Sequence, residues 1–266
     1  MAGVPTVEDD LGHRLALATP PRRVVSLVPS LTEALAATAP DRLVGATEWC
    51  THPGDLRVGR VRGTKNPDHV AIAALRPDLV VANQEENRRA DVERLRSAGV
   101  PVWVTRIESV DGAIASMRRL LTEGLSVAEP DWLRRAAAVW AVRAPLPPLR
   151  TVVPIWRRPW MVVGSGTYTG DVLHRLGLVN AFGDAPDRYP RLAEDQLLAA
   201  ATDLVLLPDE PYAFTADDGP EAFAPGRAVL VSGRSLTWYG PAMVGARDEL
   251  VSAVTDRLPG PTPTGV

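Results

Sequence analysis

Short apolar runs rich in β-branched residues alternate with helical patterns along most of the chain. This alternation is typical of parallel sheets whose strands are joined by helices. The runs predict strands at Val24–Val28, Leu43–Ala46, Leu79–Ala82, Val102–Thr105, Val152–Trp156, Met161–Val163, Leu204–Leu207 and Ala228–Val231. A chain of 266 residues is long enough to bury the cores of two such sheets.

Helical patterns lie between and after these strands. Ser30 followed by Glu33 predicts a capping box for a helix that reaches Ala39. Further helices are predicted at Asp68–Leu75, Arg89–Ala98, Asp171–Leu176 and Ala242–Leu258. The tail Pro259–Val266 has no apolar anchor, which predicts disorder.

A helical segment separates the two groups of strands and contains predicted helices at Asp111–Leu121 and Asp131–Val142. The sequence therefore predicts an α/β fold in which a long interdomain helix joins two parallel-sheet lobes. Its parts are an N-terminal lobe at 1–108, a connecting segment at 109–148 and a C-terminal lobe at 149–266. Because a helix is a stiff spacer, we expect limited hinge motion.

Composition excludes several functions. A net charge of −3 without a long basic run gives no footprint for nucleic acid. The single cysteine, Cys50, allows no internal disulfide, and no apolar run is long enough for a membrane span. Residues Met1 to Asp10 carry acids where a signal peptide would carry lysine or arginine, which predicts a cytoplasmic protein.

Several segments resemble the class III periplasmic-binding-protein family. The segment Ala74–Val80 is similar to its most recognisable motif, and Pro21–Glu33 is similar to its first strand and helix. The residues Asp10, Gly12 and Arg14 look like its opening strand. Members deliver cobalamin, ferric siderophores, haem or metal ions to ABC importers. The resemblance implies that a ligand binds in the cleft between two lobes.

A narrower resemblance links the chain to the helical backbone metal receptors. It is carried by Cys50–Pro53, Gly63–Lys65, Glu85–Asn87, Trp156–Arg157, Glu210–Tyr212 and Trp238–Gly240. This resemblance implies a metal-containing ligand, either a corrinoid, a ferric chelate or a metal ion.

One departure from the family concerns the partner. In importer-coupled members an acidic residue on each lobe docks onto the permease. Here the docking position of the N-terminal lobe is Val70. The docking position of the C-terminal lobe keeps an acid at Asp195 or the neighbouring Glu194. An apolar residue cannot form the charge pair, so Val70 argues against an ABC permease as partner.

Ligands of parallel sheets collect at the carboxyl ends of strands, where the unusual polar residues of this chain lie. Glu48, Cys50 and His52 lie within five residues and could supply two or three metal ligands. The alternative is that Cys50 packs as a small hydrophobe and that His52 caps a turn before Pro53.

The only lysine, Lys65, and a pair of glutamates, Glu85 and Glu86, are further candidates. A compact ammonium at Lys65 suits an anion or carbonyl contact, unless the lysine merely persisted by chance. One of the two glutamates is expected to point into the cleft, as a metal ligand or hydrogen-bond acceptor. The alternative is a charged loop with Asn87 as a helix cap.

Aromatic residues concentrate in the second half, where all Phe and Tyr residues lie between Tyr168 and Tyr239. Rings at strand exits can stack on a flat or bulky ligand, and Arg157 and Arg158 add donors for carboxylates or phosphates. Phe182, Phe223 and Tyr168 are expected in the core. With Ser30 and Trp49 from the N-terminal lobe, the predicted ligand contacts are Trp156, Arg157, Trp160, Tyr212, Trp238 and Tyr239.

Enzyme motifs do not support a catalytic reading. Gly164–Gly166 is too short for a nucleophile elbow, and no P-loop or dinucleotide fingerprint occurs. The sequence therefore favours non-catalytic binding of a small metal-containing or tetrapyrrole-like ligand. One alternative is a cytoplasmic enzyme that uses Cys50 or Lys65 as nucleophile, or His52 as base. Another is an importer-linked receptor whose export signal has been removed.

Overall fold

The computed structural model describes residues 6–17, 20–144 and 146–257, so the predicted tail lies outside the described residues. The described chain forms two compact units. The first contains residues 6–107, Asp111–Ala137 and Tyr239–Pro241; the second contains Glu108–Val110, Ala138–Trp238 and 242–257. The predicted lobe boundaries at 108 and 148 stay predictions.

The first unit is built on a five-stranded parallel sheet. Its strands, in spatial order, are Gly59–Arg60, Leu43–Ala46, Val24–Ser26, Leu79–Asn83 and Val102–Thr105. Leu79–Asn83 is buried throughout, as expected for a parallel strand covered on both faces. Two small antiparallel sheets accompany the five-stranded sheet. One pairs Thr6–Glu8 with Arg14–Ala16, and the other pairs Arg62–Gly63 with Asn66–Pro67.

The helices from Pro29 to Trp140 follow the predicted pattern. They are Pro29–Thr38, the short Pro40–Arg42 turn, His69–Ala74, Arg89–Ser97, Val110–Arg119, the π-helical Leu120–Gly124 and Asp131–Trp140. The predicted capping box is wrong. Pro29 takes the first helical position, which its fixed φ favours, so the N-cap is Val28 and Ser30 lies inside the helix.

The second unit contains a four-stranded parallel sheet and a three-stranded antiparallel sheet. The parallel strands are Val179–Asn180, Arg150–Val152, Leu204–Pro208 and Ala228–Val231. The antiparallel strands are Pro154–Trp156, Trp160–Val162 and Arg191–Leu192. The single strand predicted at Val152–Trp156 is therefore wrong: the chain changes sheets at Val153, because Pro154 has no N–H to continue the parallel ladder.

The remaining helices are Tyr168–Leu176, Glu194–Ala199, Pro220–Ala222, Gly233–Thr237 and Met243–Thr255. Gly177 ends the first of these in the left-handed conformation, with φ of 95°. The short helix Gly233–Thr237 replaces part of a predicted loop and is capped by Ser232. Within the described residues, no helix has both the length and the hydropathy that crossing a membrane requires.

Candidate functional site

The loop Glu85–Asn87, here called the carboxylate loop, follows the buried strand Leu79–Asn83 of the first sheet. Two buried asparagines fix its shape. Asn83 Oδ1 accepts the backbone N–H of Glu85 at 2.8 Å and that of Glu86 at 3.3 Å. Asn87 donates to the carbonyl oxygens of Leu27 and Thr64, so it clamps the loop instead of capping the next helix. Both glutamates are held half-buried at this strand exit.

Lys65 lies on the hairpin beside the carboxylate loop. Its Nζ donates a short hydrogen bond to the backbone carbonyl oxygen of Glu85. This acceptor belongs to the protein itself, so the predicted contact of Lys65 with a ligand stays a prediction. The ammonium ties the hairpin to the carboxylate loop.

Tyr239 belongs to the first unit, although its place in the sequence predicted a C-terminal position. It is 6% exposed, and its hydroxyl donates to Glu86 Oε1 at 3.3 Å. Burial raises the pKa of Tyr239 well above 10, and the charge of Glu86 raises it further. Gly240 has φ of 152°, and a Cβ there would lie 3.2 Å from the carbonyl oxygen of Ser30, so the segment lies close to the start of the first helix. Ser30 itself is buried.

The structure does not assemble the predicted metal set of Glu48, Cys50 and His52. Among residues 6–17, 20–144 and 146–257, no group of three or more His, Cys, Asp or Glu side chains could hold a metal ion. Cys50 is fully buried, whereas Glu48 and His52 are exposed. The proximity of the three residues in sequence did not reveal this difference in burial.

The thiol of Cys50 lies in a pocket of hydroxyl groups. Thr32 Oγ1 donates to its Sγ at 3.0 Å, and Thr47 Oγ1 lies 3.1 Å away. Burial raises the pKa of this thiol, and the hydrogen bonds from Thr32 and Thr47 oppose that rise only in part. The neutral thiol packs as a small hydrophobe, as the alternative interpretation of the sequence held.

Arg157, Tyr212, Asp218 and Glu221 form a charged network in the second unit, here called the arginine cluster. Arg157 pairs with Asp218 through a short contact and with Glu221 at 2.5 Å, and the Tyr212 hydroxyl donates to Asp218 at 2.5 Å. The hydrogen bond from Tyr212 lowers the pKa of Asp218. Arg157, predicted to donate to a ligand, thus already holds two carboxylates of its own chain.

The predicted aromatic surface divides into core rings and exposed rings. Trp160 is 4% exposed and packs against Phe214 and Phe223, with ring centroids 6.0 and 5.7 Å apart. Its predicted contact with a ligand stays a prediction. Trp156 is 45% exposed, with its ring edge-on to Tyr212, and Trp49 in the first unit is 68% exposed. Of the rings expected in the core, Tyr168 is buried, whereas Phe182 and Phe223 are partly buried and pack against the core of the second unit.

Trp238 and Glu210 form a pair that the sequence did not predict. Trp238 is only 6% exposed, and its predicted stacking on a ligand stays a prediction. Its side chain hydrogen-bonds Glu210. Gly233 allows this packing, because a Cβ there would lie 2.4 Å from Glu210 Cγ. Burial raises the pKa of Glu210; the charge of Asp209 adds to the rise, while Trp238 and Arg234 oppose it.

Replacing this carboxyl with a neutral amide should alter the pH dependence of stability. The pKa of Glu210 lies above its ordinary value of 4.5, so burial of the charged form destabilises the folded state as pH rises through the raised value. We expect the melting temperature of Glu210→Gln, minus that of the wild type, to increase between about pH 4 and about pH 7. The exposed Glu194→Gln is the control, and a constant difference for Glu210→Gln would contradict the prediction.

Val70 and Asp195 correspond to the positions at which importer-coupled family members carry docking acids, and both lie on the surface. Val70 is 81% exposed and Asp195 is exposed. The expectation that Val70 disfavours an ABC permease as partner stays a prediction.

No protein-family model matches the chain. The chain is 25% identical over 255 residues to a vitamin B12-binding protein of Pectobacterium carotovorum subsp. carotovorum (strain PC1), covering 90% of this chain and 91% of the relative. It is 29% identical over 184 residues to a vitamin B12-binding protein of Salmonella choleraesuis (strain SC-B67), covering 66% and 68%.

The chain is also similar to solved structures of periplasmic binding proteins. The periplasmic haem-binding protein BhuT, in complex with two haems, matches with a TM-score of 0.72 and 26% identity over 89% of this chain and 99% of that one. The periplasmic vitamin B12 binding protein BtuF of Vibrio cholerae matches with a TM-score of 0.69 and 19% identity over 90% and 98%. These matches confirm the predicted α/β fold with parallel sheets and support the resemblance to the class III periplasmic-binding-protein family.

Proposed function

We propose that this chain is a solute-binding protein that holds a metal-containing tetrapyrrole, a corrinoid or a haem-like molecule, without catalysing a reaction. The observation that carries the proposal is the exposure of two tryptophans at strand exits. Trp49 follows the strand Leu43–Ala46 of the first unit, and Trp156 ends the strand Pro154–Trp156 of the second. An exposed indole has a large apolar face that can stack on a flat ring. Relatives that bind vitamin B12 or haem support this ligand class.

The chemistry of the polar candidates supports binding over catalysis. Cys50 is an enclosed thiol whose pKa is raised, so it is not activated as a nucleophile. Lys65 holds a backbone carbonyl oxygen. Neither residue has the activating arrangement that covalent catalysis needs.

Truncating the exposed tryptophans tests the proposal. Removing a ring that stacks on the ligand costs about 1–3 kcal/mol, roughly a five- to hundredfold loss of affinity. We expect Trp49→Ala and Trp156→Ala each to weaken binding of cyanocobalamin or haem by that factor, measured by absorbance titration. Because both rings are exposed, the melting temperature should stay close to that of the wild type.

Leu198→Ala is a matched control, since Leu198 is 50% exposed and has no assigned role. If both tryptophan variants bind the wild type's ligand with unchanged affinity, the stacking surface is wrong. If the wild type binds neither tetrapyrrole, the proposed ligand class is wrong.

A further inference from the structure

We infer that Gly63 is a positioning residue for Trp49, the exposed ring of the first unit to which the proposed function assigns stacking. Gly63 lies on the hairpin that pairs Arg62–Gly63 with Asn66–Pro67, here called the 62–67 hairpin. The inference rests on the proposed function and deepens it, because it states what sets the orientation of a ring that is expected to touch the ligand.

The side chain of Trp49 has little support of its own. It is 68% exposed, and in the part of the chain that the structure describes its indole N–H has no hydrogen-bond partner. Ordering a side chain when a ligand binds costs affinity, so a ring whose orientation is set beforehand binds more tightly than one that rotates freely. A contact that limits the rotation of Trp49 therefore bears directly on binding.

The backbone on either side of Trp49 is already fixed. The N–H of Glu48 donates to the carbonyl oxygen of Arg62 at 2.8 Å. Cys50 is fully buried, and its Sγ accepts a hydrogen bond from Thr32 at 3.0 Å. The freedom that remains to Trp49 is rotation of its side chain.

Gly63 limits that rotation by letting the indole come close to the backbone. A Cβ at Gly63 would lie 3.2 Å from Trp49 Nε1, which is closer than ordinary van der Waals contact. The φ of Gly63 lies outside the left-handed region, so the conformation of the hairpin does not require glycine there. The close approach of Trp49 and Asn66 is instead what leaves no room for a side chain.

The 62–67 hairpin is itself tied to two loops at strand exits of the first sheet. The hydrogen bond from Glu48 joins it to the loop that carries Trp49. On its other side, Lys65 donates to the carbonyl oxygen of Glu85 in the carboxylate loop. The surface against which the indole lies is therefore fixed relative to the sheet.

A side chain at position 63 is compatible with folding. The atoms nearest to an added Cβ are Asn66 Oδ1 at 2.5 Å and Trp49 Nε1 at 3.2 Å, and the next, Asn66 Cγ, is 3.7 Å away. Both belong to exposed side chains, which can turn away without a shift of the backbone. A substitution of Gly63 should therefore reorient Trp49 and leave the fold intact.

Substitutions of increasing size at position 63 test the inference. With whichever of cyanocobalamin and haem the wild type binds, we expect affinity to fall at least ~twofold in Gly63→Ala and at least ~fivefold in Gly63→Val. The loss should not exceed that in Trp49→Ala, because removal of the stacked ring sets the limit. In the Trp49→Ala background, Gly63→Val should change affinity by less than ~twofold, since no ring is left to displace. Absorbance titration gives the affinities, and the melting temperature should stay close to that of the wild type.

Fluorine NMR of the full chain labelled with 5-fluorotryptophan reports on the ring without a ligand. The resonance of Trp49, identified by its absence in Trp49→Phe, should shift in Gly63→Val while those of the other tryptophans stay in place. Gly54→Ala is the matched control from the same loop, because a Cβ there has only the carbonyl oxygen of Thr51 nearby, at 4.0 Å. Adding Asn66→Ala to Gly63→Val leaves the indole as the near neighbour of the valine, so the loss of affinity should persist.

The outcomes separate this inference from the proposed function. An unchanged Trp49 resonance or unchanged affinity in Gly63→Val overturns the inference. Equal losses from Gly63→Val with and without the ring of Trp49 also overturn it, as does recovery of affinity when Asn66→Ala is added. Unchanged binding by Trp49→Ala alone refutes the stacking role of that ring, and a wild type that binds neither tetrapyrrole refutes the proposed function.

Discussion

Replacing Gly164 with alanine is expected to lower the free energy of unfolding by about 3 kcal/mol, the upper end of what overpacking a well-filled site costs. An added Cβ would lie 2.3 Å from the carbonyl oxygen of Asp187 and 3.0 Å from that of Arg188. These are backbone atoms, and the N–H of Gly164 already donates to the Arg188 carbonyl oxygen at 2.8 Å. The contact cannot be relieved by turning a side chain, so the backbone must shift.

Gly245→Ala is the matched control for Gly164→Ala. A Cβ at Gly245 would have nothing within 4 Å, and the residue lies in the helix Met243–Thr255. Alanine is favoured over glycine in a helix by about 1 kcal/mol, so this variant should be as stable as the wild type or more so. Chemical denaturation followed by circular dichroism compares the two, and a Gly164→Ala midpoint equal to the wild type's would refute the packing argument.

The parallel strands were predictable because their signal is local. Leu43–Ala46, Val102–Thr105 and Ala228–Val231 have the predicted bounds, since short apolar runs between turn residues mark buried strands without reference to distant partners. The predicted strand at Val152–Trp156 failed for the converse reason. Its second half pairs with Trp160–Val162 in a separate antiparallel sheet, and pairing of this kind leaves no trace in hydrophobic periodicity.

The burial of the aromatic candidates likewise depends on contacts that the local sequence does not encode. Trp156 and Trp160 flank one hairpin and look equivalent in sequence, yet one ring is exposed and the other is in the core. The side on which each ring lies depends on Phe214 and Phe223, more than fifty residues further along the chain. Tyr239 likewise packs in the first unit through Glu86, a contact across 153 positions that no local pattern encodes.

Sequence comparison drew attention to Asp10 but not to its neighbour, which the structure buries. Asp9 is 2% exposed, and its carboxylate joins three parts of the first unit. Oδ1 accepts the N–H groups of Leu11 and His13, both at 2.9 Å. Oδ2 accepts from Arg96 Nη2 at 2.7 Å and from the N–H of Val104 at 3.2 Å.

Asp9→Ala is therefore expected to lower the free energy of unfolding by about 3–5 kcal/mol, because it leaves a partly buried guanidinium and buried backbone donors without their acceptor. Asp9→Asn keeps one acceptor oxygen but removes the charge, so it should lower the free energy of unfolding by less than Asp9→Ala does. Asp131→Ala is the control: Asp131 is 71% exposed in its pair with Arg134, and such surface pairs contribute about 0–1 kcal/mol.

A double-mutant cycle with Arg96→Ala shows which contacts carry the effect. If the ion pair dominates, the loss from Asp9→Ala should shrink by at least about 1 kcal/mol when Arg96 is already absent. If the loss is unchanged, the backbone donors of Leu11, His13 and Val104 account for it. An Asp9→Ala variant as stable as Asp131→Ala would mean that the four hydrogen bonds of this carboxylate do not anchor the hairpin Thr6–Ala16 to the sheet.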